Sequence, residues 1–455
     1  MSSNHIGKDL TESKVSTTLI TLLIPILLSN TLNVVYNIVD SIWIGNIIGP
    51  LGLSAVAVSF PITLMMGSFA FGVNMANGVI VSQYYGAKDY NSVSHVIKVS
   101  TTLGVIILFT VGLLMFIFAK KILIIMNTPK DALDMAVIYL RISIIGLPFA
   151  YSYFFISSIL RAVGDTVRPL IFLIVSSVIN VILDPILIKG FFIIPAMGLK
   201  GAAIATVISQ CISVLISTSY LRIKNSFIKI NPFIFTFDIN ITKKIMKLAI
   251  PISSNQFIVA FGWLIITRLI SSFGDAASAT VAIVNRVESL FIMPIGALGN
   301  AVMTMSAQNI GANKFDRVKE IFKNGIIIGI IISSVMSIFS ILNPHLLINM
   351  FTKDIEVFEY SKSYIYTIMP IFIFYSIMFV CNGIINGAGK TIVIMVFSTS
   401  TTLILRTILA YALSGKFSLI GIWASMGICY IINTLFSLYY YKSNKWQKNS
   451  NITTQ

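Results

Sequence analysis

Long apolar segments, separated by short polar or charged breaks, follow one another along the whole chain. A membrane-spanning helix needs about 20 predominantly apolar residues, and the sequence offers twelve segments of this kind. We therefore predict an all-α integral membrane protein with twelve transmembrane helices. The predicted helices cover residues 15–45, 53–83, 96–119, 134–160, 167–189, 197–222, 243–272, 277–306, 319–342, 358–386, 390–414 and 418–441.

The two halves of the sequence resemble each other. Several residues recur at a constant spacing of 225 positions, and two further pairs recur within a few positions of it. Such a pattern indicates an internal duplication with small later changes in loop length. Six helices per half give both halves the same orientation, so we predict two six-helix bundles related by a pseudo-twofold axis along the membrane normal. The pairs are Gln83 and Gln308, Gly86 and Gly311, Ala87 and Ala312, Gly164 and Gly389, Thr166 and Thr391, Pro25 and Pro251, and Gly201 and Gly421.

The basic residues indicate the orientation. If the N-terminus lies in the cytoplasm, twenty of the 32 Lys and Arg residues fall in cytoplasmic segments and nine fall in outer segments. The positive-inside rule then predicts a multi-pass protein of the bacterial cytoplasmic (inner) membrane with both termini in the cytoplasm. The predicted parts are an N-terminal tail (1–14), an N-lobe (15–222), a cytoplasmic linker (223–242), a C-lobe (243–441) and a C-terminal tail (442–455).

Composition narrows the function. Hydrophobic residues make up 56% of the chain and charged residues 11%, against about 25% charged in a soluble domain, so the lipid bilayer is the expected partner. The net charge of +16 is spread between apolar segments, which argues against nucleic acid. The three cysteines and three histidines form no disulfide, zinc or catalytic pattern. We therefore expect neither an enzyme nor a resident cofactor.

Three acidic residues fall inside predicted helices and more than two positions from a predicted end, where charge is costly and usually marks a transport pathway. They are Asp40, Asp184 and Glu288. Asp40 and Asp184 each lie five or six residues before an outer loop, about 8 Å below the boundary at 1.5 Å per residue. The same count places Tyr139 and Thr206 at that depth, and Asn180 lies one turn below Asp184. These side chains are expected to share one layer of the first half.

Carboxylate, amide and hydroxyl oxygens suit a hard cation, so Asp40, Asn180, Asp184 and Thr206 form a possible sodium site. A pair of desolvated carboxylates suits a proton equally well. Sodium and the proton therefore both remain candidates for the coupling ion. For Tyr139 and Thr206, helix packing or hydrogen bonding to the preceding turn is an equally good explanation.

The acidic site is not duplicated. At the corresponding places in the second half, Arg406 aligns approximately with Asp184, and Asp40 aligns near Ile266 to Arg268. Glu288 lies two residues from Arg286, and we predict that the two form an intramembrane charge pair of structural importance in the second lobe.

Pro25 falls near the middle of the first predicted helix, where the missing backbone N–H favours bending. Pro25 is therefore a hinge candidate. A static kink explains it equally well.

Five groups of residues form motifs along nearly the whole chain. They are Pro25, Tyr36 and Val39-Asp40-Ser41; Gln83-Tyr84-Tyr85-Gly86-Ala87; Arg161-Ala162-Val163-Gly164-Asp165-Thr166; Asn180 with Asp184-Pro185; and Gly201-Ala202-Ala203-Ile204-Ala205-Thr206. Together these motifs resemble the multidrug and toxic compound extrusion (MATE) family, as it occurs in prokaryotes. The resemblance implies an antiporter whose two lobes enclose a central cavity and rock to export organic cations or amphiphilic toxins in exchange for sodium ions or protons. Such a transporter is expected to work as a monomer on small organic, often cationic, substrates.

The resemblance also implies roles for single residues. Asp40 matches the aspartate of the family's first helix, and Asn180 and Asp184 match the pair in its fifth helix, as in the DinF-like branch. The sequence lacks the acidic residues that NorM-type members carry in helices 7 and 10. An ion site in the second lobe is therefore not expected.

Two other functions are compatible with a polytopic membrane protein. A flippase for lipid-linked precursors would share the two-bundle design, but it should present a cationic cavity to pyrophosphate and often carries extra helices. A membrane-embedded transferase should show clustered His, Asp or Glu near an interface, and the sequence has no such cluster.

Overall fold

The computed structural model describes residues 7–224, 228, 235–448 and 450. Parts of the predicted N-terminal tail, linker and C-terminal tail lie outside these residues, namely 1–6, 225–227, 229–234, 449 and 451–455. The described chain is helical apart from connections, one of which carries an isolated antiparallel bridge between Phe191 and Ile194. The prediction of an all-α membrane protein is confirmed.

The helices agree with the predicted spans to within several residues at each end. Three details were not predicted. They are a short helix, Pro344–Ile348, a 3₁₀ turn, Met369–Ile371, and a π-helical segment, Thr399–Leu405. The helices are α1 Val15–Ile47, α2 Pro50–Gly86, α3 Tyr90–Ile125, α4 Lys130–Ala162, α5 Val167–Lys189, α6 Leu199–Ile223, α7 Ile239–Ser271, α8 Asp275–Gly311, α9 Phe315–Leu342, α10 Pro344–Ile348, α11 Ile355–Ile368, α12 Phe372–Gly387, α13 Thr391–Ser398 and α14 Arg406–Lys442.

Eleven helical segments of the described chain are long and apolar enough to cross a membrane, and the last, Thr391–Lys442, has 52 residues. At 1.5 Å per residue it would be about 78 Å long, more than twice the hydrocarbon thickness. A break at Ser418 (φ 52°, ψ −138°) divides it. Gly198, which precedes α6, has nearly the same backbone angles (φ 54°, ψ −137°). The same turn thus separates the last two spans of each half, and the described chain contains twelve spans.

Ser418 occupies a backbone conformation that a side chain disfavours and glycine adopts freely. Replacing Ser418 by Gly is expected to stabilise the protein by about 1 kcal/mol and to raise its Tm in detergent by about 1 °C. The control is Ser414→Gly in the preceding helical turn, where glycine should destabilise by about 0.5–1 kcal/mol. Equal Tm changes in the two variants would contradict the strain at Ser418.

The chain clusters into two compact units. The first comprises residues 1–8, 28–81 and 89–249, and the second comprises 9–27, 82–88 and 250–455. The division passes through α1 between Leu27 and Leu28, and through α2 between Val81 and Ser82. It therefore differs from the predicted lobes, 15–222 and 243–441, at the start of α1, the end of α2 and the start of α7, and the predicted boundaries stay a prediction.

Within the second unit, the ends of α2 and α8 cross at a pair of glycines. A Cβ atom on Gly86 would fall on the backbone carbonyl of Gln308, and a Cβ atom on Gly311 would fall on the backbone carbonyl of Gln83. The two contacts are reciprocal, as the duplication requires. No side chain fits at either glycine without separating the helices.

The described end of the linker is attached to α3 in the first unit. The backbone N–H of Thr236 donates to Oγ1 of Thr102 (2.9 Å), and Nε2 of His95 donates to Oδ2 of Asp238 (2.8 Å). The hydrogen bond from His95 lowers the pKa of the Asp238 carboxyl. Asp238 also accepts hydrogen bonds from the first backbone N–H groups of α7, so it fixes the start of that helix.

Candidate functional site

Asn180, Asp184 and Asp40 come together inside the first unit. Asn180 and Asp184 have no exposed surface, and Nδ2 of Asn180 donates a hydrogen bond to Oδ1 of Asp184 (3.2 Å). The half-buried carboxyl of Asp40 lies within hydrogen-bonding reach of the Asp184 carboxyl. The structure therefore groups three of the five side chains predicted to share one layer, and neither carboxylate is isolated from the other.

Close packing of α5 on α6 fixes Asn180 and Asp184. A Cβ atom on Gly201 would fall on the carbonyl of Leu187, so only glycine allows the two backbones to approach there. Hydroxyl groups add contacts to backbone carbonyls, from Ser176 to Ser209 (3.0 Å) and from Ser213 to Phe172 (3.2 Å). Small and hydroxyl residues at such contacts are typical of membrane helices, where lipid supplies no hydrophobic driving force for association.

Three buried oxygen atoms at this site have no hydrogen-bond donor among the described residues. They are Oδ1 of Asp40, Oδ1 of Asn180 and Oδ2 of Asp184. Among the described residues, no lysine or arginine interacts electrostatically with either carboxylate. A buried acceptor without a donor is costly, and two buried carboxylates without a positive charge are more so. The site is therefore suited to receive a cation or a proton.

Tyr139 and Thr206 occupy the edge of the same site. Tyr139 is half-buried and close enough to Asp40 and Asp184 to interact with both electrostatically. The Thr206 hydroxyl donates to the carbonyl of Ala202, one turn earlier in α6 (3.2 Å), and accepts a long hydrogen bond from the Tyr36 hydroxyl (3.4 Å). Back-bonding to the helix, one of the two explanations left open for Thr206, is thus present.

Tyr36 is a site residue that the chemical reasoning from the sequence missed. It lies one turn before Asp40 on the same face of α1, and its ring interacts electrostatically with Asp40, Asp184 and Tyr139. A search for polar residues four positions from each buried aspartate would have found it.

The second unit holds a separate polar cluster around Glu288. The Tyr430 hydroxyl donates to Oε1 of Glu288 (2.8 Å), and Glu288 is only 8% exposed. The charged group that acts on Glu288 is Arg406, and the tyrosines Tyr364 and Tyr375 complete the cluster.

The predicted pairing of Glu288 with Arg286 is wrong. Arg286 lies over the ring of Phe351, with its guanidinium carbon 5.2 Å from the ring centroid. Residues two apart on a helix do not face each other, which separates the two side chains. Both residues remain intramembrane charges of the second unit, but with different partners.

Among the described residues, no group of three or more His, Cys, Asp or Glu is placed to hold a metal ion. The set at Asp40 and Asp184 combines two carboxylates with one amide. These oxygen donors suit an exchangeable hard cation rather than a transition metal.

The comparison with known proteins gives the family. The MatE family model matches this chain twice, over residues 25–186 and 251–412, and the two matches begin at the paired prolines Pro25 and Pro251. The chain belongs to the MatE family. The resemblance inferred from its motifs is therefore confirmed, and the protein is a membrane transporter rather than an enzyme.

Curated relatives cover almost the whole chain. The chain is 30% identical to the probable multidrug resistance protein YpnP of Bacillus subtilis (strain 168), over 96% of this chain and 97% of the relative. It is 28% identical to the probable multidrug resistance protein YoeA of the same organism, over 94% and 93% of the two chains. Both names indicate multidrug efflux in bacteria.

A solved MATE structure, described as being in the bent conformation, has the same fold. It superimposes with a TM-score of 0.89 at 21% sequence identity and covers 97% of this chain and 98% of its own. The agreement confirms the MATE-like architecture. The protein is thus a multi-pass MATE transporter related to multidrug efflux proteins and acting on small molecules in a membrane.

Proposed function

We propose that this transporter exports organic cations or other amphiphilic toxins in exchange for sodium ions or protons, which bind at Asp40, Asn180 and Asp184. The observation that carries the proposal is the set of three buried acceptor oxygens without a donor, together with two carboxylates that no lysine or arginine neutralises within the described residues. A cation that binds reversibly would supply the partner that these oxygens lack and would neutralise the carboxylates. A site whose carboxylates were permanently paired with protein groups would need no exchangeable cation.

Charge repulsion gives the cation its coupling role. Two ionised carboxylates within hydrogen-bonding reach repel each other strongly in a water-poor bundle, so the unloaded site favours separation of α1 from α5. A bound sodium ion or proton removes the repulsion and favours their approach. Ion binding thus biases α1 between two arrangements, which is the condition for coupling to substrate release.

Tyr36, Tyr139 and Thr206 have supporting roles in this proposal. Tyr36 joins α1 to α6 through the Thr206 hydroxyl, so a shift of Asp40 is transmitted to that contact. Thr206 is the fourth predicted sodium ligand, and its hydroxyl is already engaged by Ala202 and Tyr36. It therefore positions Tyr36, and sodium would recruit its oxygen only by displacing that hydrogen bond.

Pro25 is proposed as the hinge of α1. It lies inside the helix, three residues before the point at which α1 passes from the second compact unit to the first. Bending at Pro25 would move the segment that carries Asp40 without disturbing the packing of α5. We further propose monomeric function through rocking of the two lobes, with both termini in the cytoplasm.

The coupling ion is tested with proteoliposomes loaded with a fluorescent organic cation. A sodium gradient and a pH gradient are imposed separately at constant ionic strength and membrane potential. In each case the ion concentration is higher on the side that the transporter's outer surface faces. We expect one of the two to drive dye transport against its concentration gradient, and the other to have no effect. Protein-free liposomes control for leakage.

Transport that dissipates the dye gradient equally with and without either ion gradient would overturn cation coupling. Absence of dye transport under all conditions, repeated with neutral amphiphilic dyes, would overturn export of these substrates. Binding of a lipid-linked pyrophosphate with transport of that lipid would instead support a flippase.

A further inference from the structure

The second repeat contains one residue more than the first in its fifth helix. Gly164 and Gly389, which precede the helix in each half, both have positive φ and stand 225 positions apart. Near the helix end, Gly201 packs on the carbonyl of Leu187, and Gly421 packs in the same way on the carbonyl of Leu413. Leu187 and Leu413 are therefore one position further apart in sequence than Gly164 and Gly389. An additional residue therefore lies between 389 and 413.

The π-helical segment Thr399–Leu405 accommodates this additional residue. A π-turn contains one residue more than an α-turn, and such turns often mark functional sites. After the π-helix, Arg406 is the counterpart of Asn180, and Ala410 is the counterpart of Asp184. The sequence alignment that paired Arg406 with Asp184 is therefore wrong by one helical turn.

The matched prolines give the register of the first helix of each half. Pro25 and Pro251 make Ile266 the counterpart of Asp40 and Gly262 the counterpart of Tyr36. The second repeat thus replaces two aspartates by alanine and isoleucine, and an asparagine by arginine.

Arg406 lies where the first repeat has its proposed ion site. It is 4% exposed, and its Nε donates to the carbonyl of Thr402 within the π-helix (3.0 Å). A Cβ atom on Gly262 would approach Nη2 of Arg406 to 2.9 Å, so a side chain at position 262 would crowd the guanidinium. Nη2 has no acceptor among the described residues. The loss of Tyr36's counterpart provides the space that the arginine occupies.

Glu288 provides the opposite charge. It is buried and accepts a hydrogen bond from Tyr430, and Arg406 acts on it electrostatically although the two side chains form no direct ion pair among the described residues. Arg406 also acts on the tyrosines Tyr364, Tyr375 and Tyr430 of the same cluster. A buried arginine or glutamate alone would be costly in a membrane, whereas the two together leave the cluster neutral.

We propose that Arg406 is a built-in counter-cation for Glu288 and occupies, in the second repeat, the place that an exchangeable cation occupies in the first. The replacement of an exchangeable cation rests on the proposed ion site at Asp40 and Asp184. The charge relationship between Arg406 and Glu288 does not depend on that site. Because the arginine is covalently attached, the second unit neutralises its buried carboxylate without taking up an ion. Exchange is thereby confined to one site per transporter.

The charge relationship is tested by thermal unfolding of the full-length protein in detergent. Either Arg406→Gln or Glu288→Gln leaves one buried charge without its counter-charge, and each is expected to lower the Tm by about 3 °C or more. The double variant R406Q/E288Q should recover most of that loss. The matched control is Arg286→Gln, since Arg286 lies two residues from Glu288. The Tm change of Arg286→Gln should add to the Tm change of Glu288→Gln. Additive losses for R406Q and E288Q would overturn the counter-cation.

The replacement of an exchangeable ion is tested in a D40N/D184N background, which removes the first-repeat carboxylates. Adding R406Q to this background should make the Tm rise with NaCl relative to choline chloride, or with acidification. Adding E288Q as well should abolish that response, because Glu288 is the acceptor. A Tm of D40N/D184N/R406Q that responds to neither cation would overturn the ion-substitute assignment.

These outcomes are separable from the proposed antiport. If wild-type transport proves independent of both gradients, the first-repeat ion site fails, while the double-variant cycle still decides the pairing of Arg406 with Glu288.

Discussion

Replacing Asp184 by Asn is expected to reduce ion-driven export in proteoliposomes about 10- to 100-fold, the range of typical coupling between two sites. The asparagine has nearly the same shape and can still accept the hydrogen bond from Asn180, but it removes the charge that attracts the coupling ion. Asp40→Asn should have a similar effect, since the two carboxyl groups lie within hydrogen-bonding reach. The measurement is the initial rate of dye transport under the gradient that drives the wild type.

Stability separates loss of coupling from loss of folding. Each substitution removes one of two buried like charges, so the Tm in detergent without sodium should be unchanged or higher. The control is Asp134→Asn, which changes an exposed carboxylate near the start of α4 and should transport at the wild-type rate. Full ion-driven export by both D40N and D184N would refute the role proposed for the site.

Hydrophobicity determines most of this fold, which explains why the spans could be predicted. Each predicted helix agrees with a helix or joined helical segment of the structure to within several residues at each end, since a bilayer leaves few alternatives to a long apolar helix. The break at Ser418 was predicted only approximately, at residues 415–417. A serine in a conformation typical of glycine carries no local sequence signal, and only its equivalence to Gly198 identifies it.

Depth along a helix predicted the grouping of Asp40, Asn180 and Asp184, because α1 and α5 both run outward and carry these polar residues at about the same depth, where lipid offers them no other partners. Helix rotation was harder to predict. Glu288 and Arg286 are neighbours in sequence, but they face different partners, Tyr430 and Phe351.

The position of Arg406 required the structure. The π-helix adds one residue to the second repeat without any glycine, proline or charged break. The constant spacing of the repeat therefore changes there, and no feature of the sequence marks the change. The sequence therefore indicated that the acidic site was not duplicated, but it did not indicate which residue had replaced Asn180.

Substitution of either glycine at the crossing of α2 and α8 is expected to prevent folding. In both Gly86→Ala and Gly311→Ala, the new methyl group overlaps a backbone carbonyl, which cannot move aside as a flexible side chain can. We expect a destabilisation of about 3 kcal/mol or more, seen as loss of the monodisperse peak in size-exclusion chromatography of detergent extracts.

The same two helices provide matched controls for this prediction. Gly67 in α2 has no atom within 4 Å of a Cβ, and Gly296 in α8 has only one ordinary contact, with Phe379 at 4.0 Å. Gly67→Ala and Gly296→Ala should keep the peak, because alanine favours a helix by about 1 kcal/mol over glycine. Because the contacts at Gly86 and Gly311 are reciprocal, their variants should fail to similar degrees. If one were tolerated and the other not, the equivalence of the two halves at this crossing would be contradicted.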